Sequence, residues 1–315
     1  MEVSIVIVNY KTAKLLDTCI ESIYKYSNGF SFEIIVVDNN SRDESKELIT
    51  SKFPFVKWID MLSNMGFGYA NNKGIMNSVG DYILLLNSDT ELYQNTILAT
   101  LKHYNLLEKK NQKVGFLGCQ IRHQDGRLQP SCNYYWSGIR EVIEEHPFGI
   151  KILQHWLKIP KLRSIDKYKN LDTDHEVIWL GVPFALINSQ AIKDYGFDEQ
   201  FFMYSEDEEL NHRLSKNGFK HFYFSKFGIY HHIGASTQSN YTRNKQMTLS
   251  KWLFIIKTRG FNYFKIYKMI YRSALNWNYK YSKNNKYKLE LEWLNDFDEI
   301  YKDSIKSKKS INCYQ

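Results

Sequence analysis

The sequence predicts an α/β protein built on a mostly parallel sheet flanked by helices, with a helical extension after it. Three observations predict this. Apolar, β-branched runs of strand length alternate with stretches of helical periodicity. The strand runs are continuous rather than alternating, as in parallel sheets covered on both faces. Several of them end in a polar residue, at the carboxyl edge where ligands of open α/β sheets bind.

The elements follow in order. "SIVIVN" (4–9) and "FEIIVVD" (32–38) read as strands ending in Asn9 and Asp38. Between them, residues 12–27 place Leu15, Leu16, Cys19, Ile20 and Ile23 at helical spacing, which completes a βαβ unit. A helix is expected over 43–52, then a short strand at "VKWID" (56–60) and a loop, "LSNMGFGYANNKG" (62–74). "GFGYAN" lacks the third glycine of a dinucleotide loop and reads better as a turn into a helix. "YILLLNSD" (82–89) is a strand ending in Asn87, Ser88 and Asp89, and "VGFLGCQI" (114–121) is another. Residues 122–175 mix aromatics, charges and Pro160, with a helix expected around 139–157. "HEVIWLGVPFALIN" (175–188) returns to a strand pattern, and "FKHFYFSKFGIYHH" (219–232) gives one or two short strands.

Between those last two runs lies "YSEDEELNHRL" (204–214), with four acids in succession. Ser205 and Glu208 have capping-box spacing, and acids in a first helical turn offset the helix dipole. Leu210 and Leu214 mark the buried stripe. Glu208 with His212 and Glu209 with Arg213 have the spacing of surface pairs. Glu206 and Asp207 lean toward the leucines, and inward carboxylates require a partner, a metal or a task.

Composition narrows the function classes. The chain has 315 residues, of which 43% are hydrophobic, enough for a packed core in one large domain or a domain with an appendage. Cys19, Cys119, Cys132 and Cys313 have neither metal-ligand spacing nor a secreted framework and fit a reducing cytoplasm. No basic leader precedes the first strand, so no signal peptide is expected, and no apolar run reaches the ~18–20 residues that span a bilayer. The net charge of +8 is uneven: residues 241–315 hold 16 Lys/Arg against 6 Asp/Glu, and the rest of the chain is slightly acidic. That shift sets an expected boundary, with 1–240 as the catalytic domain and 241–315 as a basic, aromatic helical extension. No nucleic-acid-binding signature accompanies the basic residues.

Asp89, ending a buried strand, could share one divalent cation with substrate phosphates, joined by His231 or His232. A histidine ligand would favour Mn²⁺ over Mg²⁺. At this point "SIVIVNY", "IIVVDNNSRDES", "NMGFGYANNKG", "YILLLNSDTEL", "WLGVPFALI", "FDEQFFMYSEDEELNHRLSKNG" and "HHIGAST" resemble, in order and spacing, the family 2 glycosyltransferases. The closest subgroup is that of bacterial rhamnosyltransferase-like enzymes of surface polysaccharide synthesis, and the resemblance covers residues 3–237.

The resemblance implies a GT-A fold and an inverting transfer from a nucleotide sugar, dTDP-rhamnose first and UDP-sugars next, to a glycan or lipid-linked glycan acceptor. It implies that Asn9 and Asp38 hold the nucleoside and that Asn64 and Asn72 frame the base and diphosphate. Asn87 and Ser88 join the donor set, and Asp89 is the metal ligand of a shortened Asp-x-Asp motif. Asp207 is then the base, with Glu206 beside it to raise its pKa. His231, with Gly234 and Ser236, fits the family's His-x-x-Gly-x-Ser pattern and is the implied second ligand of Mn²⁺ or Mg²⁺. Asn87 replaces an acid, "GVP" (181–183) replaces a Gly-Ala pair, and Asn188 stands where arginine is common, which leaves sugar and acceptor preference open. Two other readings remain: a non-catalytic nucleotide-sugar or glycan-binding module, and a sugar-1-phosphate nucleotidyltransferase, although no Gly-rich triphosphate loop follows the first strand.

The extension has its own pattern. Residues 245–288 contain 11 Lys/Arg, 11 aromatics and no acid. Leu249, Trp252, Leu253 and Ile256 recur at helical spacing, as do Tyr263, Tyr267, Ile270, Tyr271 and Ala274. Such a pair of helices fits a protein lying on an anionic membrane surface, here the inner face of the cytoplasmic membrane. The alternative is that the aromatic stripes pack on the catalytic domain or a second subunit. A homodimer stays open.

Overall fold

The computed structural model describes residues 1–145, 171–232, 240–307 and 309–313. The chain divides into two compact units. The first comprises Met1–Tyr134, Lys167–Glu199 and Asp207–Thr237; the second comprises Tyr135–Asp166, Gln200–Glu206 and Gln238–Gln315. The charge shift near 240 thus falls close to the last junction. Two earlier segments also group with the basic tail, because grouping follows packing rather than charge.

In the first unit, β1 (Val3–Asn9), α1 (Ala13–Tyr26), β2 (Phe32–Asp38), α2 (Ser45–Lys52) and β3 (Lys57–Asp60) come first. Next are α3 (Phe67–Met76), β4 (Tyr82–Asn87), β5 (Thr90–Leu92), α4 (Thr96–Lys109), β6 (Val114–Arg122), β7 (Leu128–Gln129) and β8 (Cys132–Asn133). In the second unit, α5 (Ile139–Glu145) follows; the remainder of the helix expected to 157 lies outside the described residues. The first unit resumes with β9 (His175–Val177), β10 (Trp179–Leu180), β11 (Phe184–Asn188) and α6 (Ser189–Tyr195). Helix α7 (Glu206–Lys216), from Asp207 onward, and β12 (Lys220–His231) complete it.

The sheet order is β3-β2-β1-β4-β11-β6-β12-β5. Strands β1 to β4 are mutually parallel, and so are β6 and β12. β11 enters antiparallel between β4 and β6. The alternation of side chains explains the continuous apolar runs. Ile5 and Ile7 join Leu16, Ile20 and Ile97 on one face, while Val6 joins Ile75, Leu210 and Leu214 on the other. Both faces are dry, so neither can be polar.

The direction of β11 corrects one expectation. Asn188 pairs with Tyr82, the first residue of β4, and so lies at the edge opposite Asn87. At roughly 3.3 Å per residue the separation is roughly 16 Å. Its side chain caps α6, accepting from the amides of Gln190 and Ala191. Asn188 is therefore a helix cap at the edge away from Asn87. Strand β12 is irregular: Phe224 stands opposite Cys119, but Gly228 stands opposite Gln120, so residues 225–227 are extra on β12.

The rest of the second unit is a helical group of α8 (Asn240–Arg259), α9 (Phe261–Ser282) and α10 (Asn285–Ser307). Leu249, Trp252 and Leu253 of α8, Tyr267 and Tyr271 of α9, and Trp293 and Phe297 of α10 form its core. Trp252 stacks edge-on to Phe297 at 5.2 Å. The aromatic stripes therefore pack within this unit on one another and on α10, a helix the sequence pattern did not single out. Among the residues α9 leaves exposed are Lys265, Ile266, Met269, Arg272 and Lys280.

Gly74 on α3 offers a test of sheet–helix packing. A Cβ there would stand 2.3 Å from Val6 Cγ1 and 3.3 Å from Val37 Cγ2. Gly74→Ala is expected to destabilise the protein by about 1–3 kcal/mol despite alanine's better helix propensity. Adding Val6→Ala should return part of that loss in a double-mutant cycle read by denaturant unfolding.

Candidate active site

The parallel register brings the polar strand ends together. Asn9 pairs with Asp38, and Val8 with Asn87. Asp38 is buried, and its carboxylate accepts from Asn9 Nδ2 at 2.7 Å, from the Ser41 hydroxyl, and from the Ser41 amide at 2.9 Å. Asn9 Oδ1 accepts from the Thr12 hydroxyl at 2.8 Å. Since that hydroxyl has one proton, Ser88 donates in the 2.9 Å contact between Ser88 and Thr12. The ends of β1, β2 and β4 are thus one hydrogen-bonded set. Asn87 Oδ1 is buried beside it without a partner.

Asn64 accepts from the amide of Gly66, which has a φ of 96°, and so shapes the turn into α3. Asn72 has its carboxamide engaged: it accepts from the amide of Phe197 and donates to the carbonyl of Phe197 and to Glu199. Its framing action runs through that backbone rather than through a free amide.

At the other end of the edge, β12 pairs His231 with Thr90. His231 Nε2 stands 3.2 Å from Asp89 Oδ1, and His232 stands 3.3 Å from Glu91. Of the two histidines, His231 is the one beside Asp89. Its Nδ1 lies 3.0 Å from Gln129 Nε2. Gly234 and Ser236 lie outside the described residues. Among the described residues no three His, Cys, Asp or Glu side chains gather as a metal cage. Two adjacent ligands, one carboxylate and one imidazole, fit a cation whose remaining ligands are phosphate oxygens and water.

Helix α7 departs from its expected surface pattern. Glu206, Glu208 and Glu209 are all buried, and Asp207 is half-buried. Ser205 has a φ of 60°, which no capping serine adopts, and the amide of Glu208 donates to Asp207 Oδ1 at 2.8 Å. The capping box is therefore not made. Glu209 pairs with Arg213 as the spacing predicted, but Arg213 also donates to the carbonyls of Tyr195 and Gly196, which draws the pair inward. Asn211 is fully buried; it accepts from the amide of Leu180 and donates to the carbonyls of Leu180 and Asp207. It ties α7 to β10 and sets Asp207 beside Gly181. A Cβ on Gly181 would stand 3.7 Å from Asp207 Oδ2. Burial pushes the Asp207 carboxyl up to about 6, opposed by the amide of Glu208. Desolvation is the leading cause of the shift.

Sequence reasoning missed Thr12, Ser41, Gln129 and Asn211. Asn211 was open to detection, being four residues after Asp207 on the leucine side. Ser41, three after Asp38, has the spacing of a local turn. Thr12 and Gln129 carry no such signal.

Comparisons with known proteins give this mixed sheet and its polar edge a family context. Residues 4–152 match the family model described as "Glycosyl transferase family 2". The match spans just under half of the chain, whose sequence is rhamnosyltransferase-like. It is 27% identical over 218 residues to the N-acetylglucosaminyl-diphospho-decaprenol L-rhamnosyltransferase of Mycobacterium tuberculosis, covering 65% of this chain and 67% of the relative. It is 25% identical to the rhamnosyltransferase WbbL of Escherichia coli, covering 67% of this chain and 77% of the relative. The structure resembles S. aureus TarS 1-349, solved in complex with UDP-GlcNAc, with a TM-score of 0.55 at 16% identity over 94% of this chain and 80% of that one. That likeness shows a shared GT-A fold.

The raised Asp207 pKa has a consequence for stability. The folded chain binds this proton more tightly than the unfolded chain, so the group's contribution falls as pH rises from the ordinary carboxylate range to about 6, and stays low above it. Asp207→Asn is expected to melt at or above the wild-type temperature near neutral pH. The gap should close as the buffer is taken below about pH 4, which thermal melts across pH would read.

Proposed function

We propose that this protein is an inverting glycosyltransferase that moves a sugar from a nucleotide-sugar donor to a glycan or lipid-linked glycan in bacterial surface polysaccharide synthesis. The carrying observation is the meeting of Asp89 and His231 at 3.2 Å on the edge that also holds the Asn9–Asp38 network. The names of the relatives support rhamnose as the sugar, with dTDP-rhamnose as the first donor to test and UDP-sugars next.

In this reading Asn9, Asp38 and Ser88 hold the nucleoside, with Asn87 on the donor and Asn64 and Asn72 shaping the loops around it. Asp207 is the base. Its Oδ1 is engaged by the amide of Glu208, which leaves Oδ2, on the Gly181 side, to take the acceptor hydroxyl proton. The acceptor oxygen bonds to the anomeric carbon as the bond from that carbon to the nucleoside diphosphate breaks, with inversion. A carboxyl with a pKa of about 6 is ionised at neutral pH yet more basic than an ordinary carboxylate. Asp89 and His231 would hold Mn²⁺ or Mg²⁺, which when bound would neutralise charge on the leaving diphosphate.

Asp207→Asn is expected to keep nucleotide binding and lose at least ~10² in turnover, measured as nucleoside diphosphate release with acceptor present. Near-normal release would remove Asp207 from the role. Asp89→Ala should weaken donor binding and abolish dependence on added Mn²⁺ or Mg²⁺. Full wild-type activity after exhaustive chelation would count against the cation site.

The basic extension supports a peripheral position at the inner face of the cytoplasmic membrane. No helix among the described residues is long and apolar enough to cross a membrane. With the aromatic stripes packed inside the unit, the contact would fall to the outer side of α9, where Ile266 and Met269 are 52% and 67% exposed among Lys265, Arg272 and Lys280. Co-sedimentation with anionic vesicles, weaker with neutral ones and weaker still in high salt, is the expected result. No binding to either vesicle would end this part of the reading.

A further inference from the structure

Two unpartnered polar atoms lie on one short stretch that the transfer mechanism does not use. Gln129 Oε1 and Ser131 Oγ are both buried without a hydrogen-bond partner. Native proteins leave few such atoms, and each calls for a strain, water or ligand explanation. For Gln129 the assignment of the carboxamide ends does not matter. Only one end meets His231, at 3.0 Å, so turning the group over changes which atom is orphaned and not that one is.

The position of the stretch is the second observation. Its Gln129 end touches His231, which faces Asp89 at 3.2 Å. Its Ser131 end accepts, through the carbonyl, the amide of Gly181 at 3.0 Å. The space over Gly181 is bounded by Ser131 O and by Asp207 Oδ2, 3.8 and 3.7 Å from where a Cβ would stand. Gln129-Pro130-Ser131 therefore runs from the cation pair to the base. Pro130 fixes its own φ and brings no amide donor to the middle of the stretch. Strand pairing holds both flanks, β7 against β6 and β8 against β10.

Transfer requires one body between those two ends. The diphosphate leaves from the cation side, the acceptor arrives on the base side, and the transferred ring spans the gap. We propose that Gln129 and Ser131 form a subsite for sugar hydroxyls, those of the transferred pyranose, and that the two orphaned atoms are the ones that recognise them. A carboxamide oxygen accepts only, while a serine hydroxyl both donates and accepts. A site built to bond a hydroxyl discriminates strongly against a sugar that lacks it. The inference rests on the glycosyl-transfer reading of the same edge.

Ser131→Ala is the direct test, because the oxygen it removes bonds nothing in the chain and its loss costs the fold no hydrogen bond. The expected result is a melting temperature equal to or above wild type, with free nucleoside diphosphate affinity unchanged within about twofold. Acceptor-free hydrolysis of the nucleotide sugar should fall by about tenfold in kcat/KM, the scale of one neutral hydrogen bond. The donors to assay are dTDP-rhamnose and UDP-GlcNAc. Gln129→Leu should give the same loss of hydrolysis, with any added loss of Mn²⁺ affinity read separately by titration. A fall seen only in transfer, with hydrolysis intact, would keep the sugar chemistry but assign the hydroxyl to the acceptor, overturning the transferred-sugar assignment. Unchanged kcat/KM in both assays, or a melting temperature that drops with activity, would overturn the subsite. A wild-type protein that hydrolyses and transfers from no nucleotide sugar would instead overturn the glycosyl-transfer reading, and the subsite with it.

Discussion

The buried carboxylate of Asp38 is the constraint on which the edge of the sheet depends. A carboxylate out of water must be given donors, and bonds to a charged acceptor are the stronger kind. Three arrive from Asn9 and Ser41. Supplying them fixes the end of β1 against that of β2 and bends residues 39–42 into a tight return, with Asn40 and Arg42 at φ 64° and 55°. Asn9 then has its oxygen free for Thr12, and Thr12 reaches Ser88. One desolvated charge thereby organises three strands.

Asp207 shows the opposite treatment of the same chemical group. The amide of Glu208 donates to its side chain, and burial outweighs that bond, so the proton is held up to about 6. A carboxylate rich in donors anchors structure, and one whose burial outweighs its donors keeps its proton to higher pH. Asn211 makes the second case workable. By spending its carboxamide on the backbones of Leu180 and Asp207, it holds the helix in place without neutralising the side chain.

Much of this was legible in the sequence, and the failures have physical causes. β1, β2, β4 and β6 were readable because strands buried on both faces must be apolar throughout. The same property hid the direction of β11, since a buried antiparallel strand has the same composition, and with it the position of Asn188. The acids of α7 were misplaced because spacing predicts which residues can pair and not whether the pair is covered. Arg213 binds two carbonyls from another segment, and that contact buries Glu209. The capping serine failed because a left-handed backbone is invisible in a residue type that normally avoids it. Gln129 and Ser131 could not be read at all, since an unmet hydrogen bond exists only once the neighbours are in place. In the extension, the helical stripes were real, but α10 supplied the apolar partner that a count of basic and aromatic residues between 245 and 288 could not see.

The irregularity in β12 decides which imidazole serves the edge. Along a strand, side chains alternate between faces, so an odd number of extra residues hands every later side chain to the other face. Residues 225–227 are such an insertion relative to β6. Below it, His221 lies in the dry interior, with Nδ1 accepting the amide of Phe116. Above it, the phase of the strand has been reset, and His231 rather than its neighbour comes round to Asp89 and Gln129. Gly228 is where the reset chain closes back on β6, so near that a Cβ would lie 2.5 Å from the carbonyl of Gln120. The strand is a vernier, coarse pairing in its lower half and fine phase in its upper half. The choice between adjacent histidines is written in a three-residue kink that contains neither of them.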